Sequence, residues 1–214
     1  MKTTIITLVG ALVGTLAFAL PARAWAQVTP ADMQSEMETY FEGERLGGVG
    51  FMTVGAGSLV AGGLLLASDS DFLKGMSYPM LGLGAVQLIV GAGVILQAGP
   101  RIDKFTDAIG QDPQGYIAEE LPRMEGVNLT FSILVVTELV LITGGVTAAV
   151  LARRKGRDTW AGVSAGLATQ AALILGQDIL ASRRARQYTV ALEGFEMSIA
   201  PAERSYRFAY GGTF

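Results

Sequence analysis

Four apolar segments, approximately residues 47–67, 76–98, 127–151 and 159–181, dominate this chain and constrain its fold more than any other feature. Each is near or above the roughly 20 residues that a membrane-spanning helix needs. A soluble bundle would carry a polar stripe on every outer face. The run Leu81-Gly-Leu-Gly-Ala-Val-Gln-Leu-Ile-Val-Gly-Ala-Gly-Val-Ile-Leu96 has none. The abundant glycine agrees with helix in this setting, because lipid offers the backbone no competing hydrogen bonds. The expected fold is an all-α membrane protein, a four-transmembrane-helix bundle occupying 47–181.

Residues 1–26 read as a cleaved signal peptide. Lys2 supplies the charged end, Ile5–Leu20 the apolar core, and Ala24-Trp25-Ala26 the small-x-small cleavage pattern. The segment is almost long enough to span, so retention as a fifth helix is the competing reading. After it, Thr29-Pro30-Ala31-Asp32 has the form of a helix start, with a cap, proline at the first helical position and an acid at the third. Met33, Met37, Tyr40 and Phe41 then make one apolar face, and 27–46 is expected to be a periplasmic amphipathic helix lying along the membrane surface.

The connections set the topology. Ser68–Gly75 and the basic Ala152–Asp158 are short, so both hairpin tips should share one side. The segment 99–126 is long and acidic; Ile102, Phe105 and Ile109 form a stripe, and Asp112-Pro113 marks a fresh helix start. It reads as surface helices on the opposite side. A cleaved signal puts the N-terminus, this loop and the C-terminus in the periplasm of a bacterial inner membrane. Arg153, Arg154, Lys155 and Arg157 then obey the positive-inside tendency, whereas Arg183, Arg184 and Arg186 do not.

A self-shift of 83 residues pairs Gly62 with Gly145, Gln87 with Gln170, Gly93 with Gly176 and Arg101 with Arg184, as a duplicated helical hairpin would. Small residues one turn apart, including Gly162 and Gly166, allow backbones to approach closely. Such faces, with Gly62, Gly84, Gly91 and Gly145 among them, serve packing within the bundle or a homo-oligomer seam.

Gln87, Glu138 and Gln170 lie near the centres of their spans. An ionised carboxylate there costs at least ~2.5 kcal/mol on insertion scales, so Glu138 is expected to be neutral or bonded to the two amides. This intramembrane polar cluster reads either as a hydrogen-bonded clamp or as the centre of a small ion-coupled transporter or channel. Asp178 sits nearer the interface, where Gln177 and Arg183 can solvate it.

In the tail, 182–214, Phe195, Met197 and Ile199 alternate, and so do Tyr206, Phe208 and Tyr210 before the terminal Phe214. This pattern predicts a small periplasmic β-hairpin. Its aromatics resemble the closing strand of bacterial outer-membrane barrels, but four helical spans leave too few strands for one.

The chain contains no His and no Cys, which excludes a Ser-His-Asp triad, a thiol nucleophile and imidazole or thiolate metal sites. A formal charge of −3 gives no electrostatic footprint for nucleic acid. No phosphate-binding loop or nucleophile elbow is present, and Glu119-Glu120 reads as a solvated acidic face. No metal or cofactor is expected. The sequence thus points to a non-enzymatic structural or interaction subunit of the envelope, with the lipid bilayer as one partner and a protein as another, met through the periplasmic helices or the hairpin.

Overall fold

The structure is a computed structural model that describes residues 28–200. Four helices account for nearly all of them: α1 Pro30–Leu66, α2 Asp71–Gln111, α3 Pro113–Arg154 and α4 Asp158–Ile199. Each contains a stretch long and apolar enough to cross a membrane. Consecutive helices form two hairpins. α2 lies against α4, α1 touches α4 along a narrower strip, and α2 and α3 barely meet.

The helix starts follow the local sequence. Thr29 caps α1: its hydroxyl accepts from the Asp32 amide at 3.2 Å while the Asp32 carboxylate accepts from the Thr29 amide at 3.0 Å. Ser70 caps α2, and Asp112 caps α3 by accepting from the Gly115 amide at 2.9 Å. The tip between α3 and α4 turns at Gly156, whose φ of 66° suits a residue without a Cβ.

Two features differ from the sequence expectation. The amphipathic segments at 30–46 and 99–126 are not separate surface helices but uninterrupted extensions of the spans, broken only at Asp112. The tail also stays helical through Ile199, so Phe195, Met197 and Ile199 form no strand, and among the described residues there are no strands. The reason is visible in the packing. Ala185, Tyr188, Leu192 and Phe195 recur at three- and four-residue spacing and are all buried, which fixes a helical face. The signal segment and the Tyr206–Phe214 arm lie outside the described residues.

The two halves of the bundle pack by opposite rules. The half beyond the apolar spans has a conventional core of large side chains: Met33, Met37, Tyr40 and Phe41 from α1 against Phe105, Ile109, Tyr116, Met124, Tyr188, Leu192 and Phe195. The other half buries small residues and turns large ones outward, with Leu64, Ile89 and Leu96 more than 70% exposed. Thr130, Thr137, Thr143 and Thr147, on the exposed surface of α3, each donate to a carbonyl four residues back, which satisfies a hydroxyl without water.

Close helix approach explains the buried glycines. On α1 Gly48, Gly55 and Gly62 recur every seven residues, as do Ser77, Gly84, Gly91 and Ala98 on α2. A Cβ placed on Gly55 would lie 2.7 Å from the Gly84 carbonyl oxygen, and one on Gly84 would lie 2.9 Å from that of Gly55. Gly48 and Gly91 oppose each other in the same way, at 2.8 and 2.5 Å. Gly162 sits on the Phe72 carbonyl and Gly166 on Met76 and Pro79, so these two glycines join α4 to α2 at the end where both hairpin tips lie.

Candidate functional site

The polar residues of the spans divide between two helix boundaries. Gln170 on α4 donates from Nε2 to Ser58 Oγ on α1 at 2.8 Å. Gln177 reaches the Gly50 carbonyl at 3.4 Å, Arg184 the Gly43 carbonyl, and Ser198 the Val28 carbonyl at 2.8 Å. Residues 170, 177, 184 and 198 keep a seven-residue register on α4, so one polar stripe bonds α1 from its middle to its start. Arg184 lies in a notch left by two glycines: a Cβ on Gly43 would meet its Cδ at 2.9 Å, and one on Gly47 its Nη2 at 3.0 Å.

Glu138 belongs to the other boundary. Its side chain neighbours that of Asp178, and both residues are buried. Asp178 thus has Glu138 as a neighbour within the bundle, and the Gln177 amide is turned to α1. Two neighbouring carboxyl groups repel when both are ionised, which disfavours the doubly charged pair.

Gln87 is 2% exposed, and neither of its amide atoms has a hydrogen-bond partner among the described residues. The 83-residue shift relates several features of the two hairpins. It maps Thr29-Pro30 onto Asp112-Pro113 at the helix starts, and the Gly62–Leu81 contact onto that of Gly145 with Ser164. It also maps Gln170 onto Gln87, but Ser58 onto Leu141, which offers no hydroxyl. The structure thus does not join Gln87, Glu138 and Gln170 through hydrogen bonds. Gly62, Gly84, Gly91, Gly145, Gly162 and Gly166 all lie at helix contacts.

A second polar group, unforeseen in the sequence, closes the distal half. Glu120 is fully buried and bonds Arg123 through both carboxylate oxygens at 2.6 Å; only Glu119 is exposed, paired with Lys104 at 2.5 Å. Tyr188 donates to Glu120 at 3.2 Å and shares a 2.5 Å hydrogen bond with Tyr116. Its ring stacks on Tyr40 at 4.4 Å, and the Tyr40 hydroxyl donates to Glu44 at 2.6 Å. Burial pushes all three phenols well above the ordinary tyrosine range, and nearby Glu44 and Glu120 add to it. The spacing of Glu120 and Arg123, three residues apart on a helix, was the available signal.

Among the described residues no group of three or more acids is arranged to hold a metal ion. Comparison with protein-family models, curated protein sequences and solved structures finds no match.

Proposed function

We propose that this chain is an integral inner-membrane interaction subunit of a bacterial cell envelope, without catalytic activity of its own. Its distal half stands in the periplasm as the docking element for a protein partner, and its two hairpin tips face the cytoplasm. The observation that carries this reading is the division of labour along the helices. The spans close on one another through glycine–backbone contacts, and the same helices continue into a separately cored bundle that holds surface positions such as Glu193 and Met197 in fixed places.

The orientation draws support from Arg184. Its engagement with Gly43 accounts for one of the three cations that conflict with the positive-inside tendency, leaving Arg153, Arg154, Lys155 and Arg157 as the stronger cluster. The matching helix starts and glycine contacts favour descent from a duplicated hairpin.

Photocrosslinking tests the reading. A photoreactive residue at Glu193 or Met197 in the native membrane should give one discrete adduct with another protein, while the same residue at Ile89 should label lipid. Absence of a protein adduct at every exposed distal position would defeat it. The contact between Glu138 and Asp178 favours a second reading, a proton- or cation-coupled pathway. Ion flux through reconstituted protein that disappears in both Glu138→Gln and Asp178→Asn would establish that reading in place of the first.

A further inference from the structure

The α3–α4 tip carries a groove of about 300 Å³ lined by Ala148, Leu151, Ala152, Lys155, Arg157 and Trp160. Its composition is divided. Ala148, Leu151 and Ala152 belong to the last apolar turns of α3, and Trp160, a residue 65% exposed, to the first turn of α4. Lys155 and Arg157 line the same groove, and neither forms an ion pair among the described residues. Arg154 adds a further cation, Arg153 sits over the Phe72 ring at 5.3 Å, and Asp158 is the single acid of this tip. The neighbouring α1–α2 tip has the opposite character, with Asp69 and Asp71 against Lys74. The positive charge is therefore concentrated at one hairpin.

We propose that this groove binds one anionic glycerophospholipid, with the headgroup phosphate on Lys155 and Arg157 and an acyl chain along Ala148, Leu151 and Trp160. A basic site at the end of an apolar span matches the two ends of such a molecule, and tryptophan favours the headgroup level of a bilayer. A soluble anion would use the cations but leave the apolar wall uncovered. The site rests on the membrane placement proposed above, but on neither its orientation nor the presence of a protein partner.

Trp160 reports directly on the groove, because the only other tryptophan is Trp25. Full-length Trp25→Phe protein would be placed in phosphatidylcholine nanodiscs containing equal mole fractions of brominated phosphatidylglycerol or brominated phosphatidylcholine. The expected result is stronger Trp160 quenching by the anionic lipid. The preference should fall roughly fivefold for each cation removed, and so be lost in Lys155→Gln/Arg157→Gln while persisting in Arg186→Gln. Equal quenching by the two lipids, or a preference surviving in the double variant, overturns the site. A response of Trp160 to glycerol phosphate in discs free of anionic lipid reassigns the groove to a soluble anion and overturns it too. Failure to enter discs of either composition overturns the membrane placement and the site with it.

Discussion

Gln170 and Ser58, 112 residues apart in sequence, meet through a 2.8 Å hydrogen bond buried between α4 and α1. That bond joins the second hairpin to the first in the middle of the spans. Truncation of Ser58 to Ala should lower stability in detergent by about 1 kcal/mol, the scale of interhelical hydrogen bonds in membranes. The double variant Ser58→Ala/Gln170→Leu should lose less than the sum of the singles, because no polar atom is then left stranded. Strict additivity in unfolding titrations would show that the bond contributes nothing.

Glycines of similar sequence context should respond very differently to enlargement. Gly55→Leu and Gly84→Leu push a side chain into facing backbone, for a loss of about 1–3 kcal/mol or more. Gly57→Leu should be nearly neutral, since a Cβ there meets nothing within 4 Å. Thermal melts of the three variants in one detergent check this ranking, and equal melting temperatures would contradict the α1–α2 contact.

Glu138→Gln replaces the carboxyl–carboxyl contact with an amide that can donate to Asp178, and should leave the melting temperature equal or higher. Glu138→Leu removes that donor and should lower stability by about 1–2 kcal/mol. Melts of both variants, read beside a flux assay, separate a clamp from a conducting site.

The distal tyrosines set an alkaline limit. Burial holds Tyr40, Tyr116 and Tyr188 above the ordinary phenol value of about 10. A group whose folded value is raised contributes stability that is complete below its unfolded value and declines as pH rises past it. The bundle should thus weaken above about pH 10, with these phenolates appearing only as helix is lost. Absorbance at 295 nm and far-ultraviolet dichroism, followed together, check this; phenolate formation at these positions with helicity intact would refute it.

What the sequence made legible was whatever a short window contains. Four long apolar helices, the Thr29-Pro30 and Asp112-Pro113 helix starts and the Met33–Met37–Tyr40–Phe41 face are local patterns, and the structure shows each. Alternation at Phe195, Met197 and Ile199 misled because three residues fit period two as readily as a helix; the longer stripe from Ala185 to Phe195 decides it. The α1–α4 polar stripe was harder to see. Gln170, Gln177, Arg184 and Ser198 straddle the end of an apolar segment, and three of their acceptors are backbone carbonyls, which leave no mark in sequence. The meeting of Glu138 with Asp178 depended on the rotational setting of α3 against α4, which small-residue spacing alone does not specify.

The continuity of the helices has a mechanical consequence. At 1.5 Å per residue, α3 with its 42 residues is about 63 Å long, roughly twice the hydrocarbon thickness of about 30 Å. In the placement proposed here, with 127–151 as the span, residues 113–126, about 21 Å, project beyond the bilayer as a helical arm with no break between span and projection. Thinning of the surrounding lipid that tilts the spans would swing the far end sideways. In that placement the glycine contacts couple the helices to one another, and the arm would act as a lever whose fulcrum is the membrane surface.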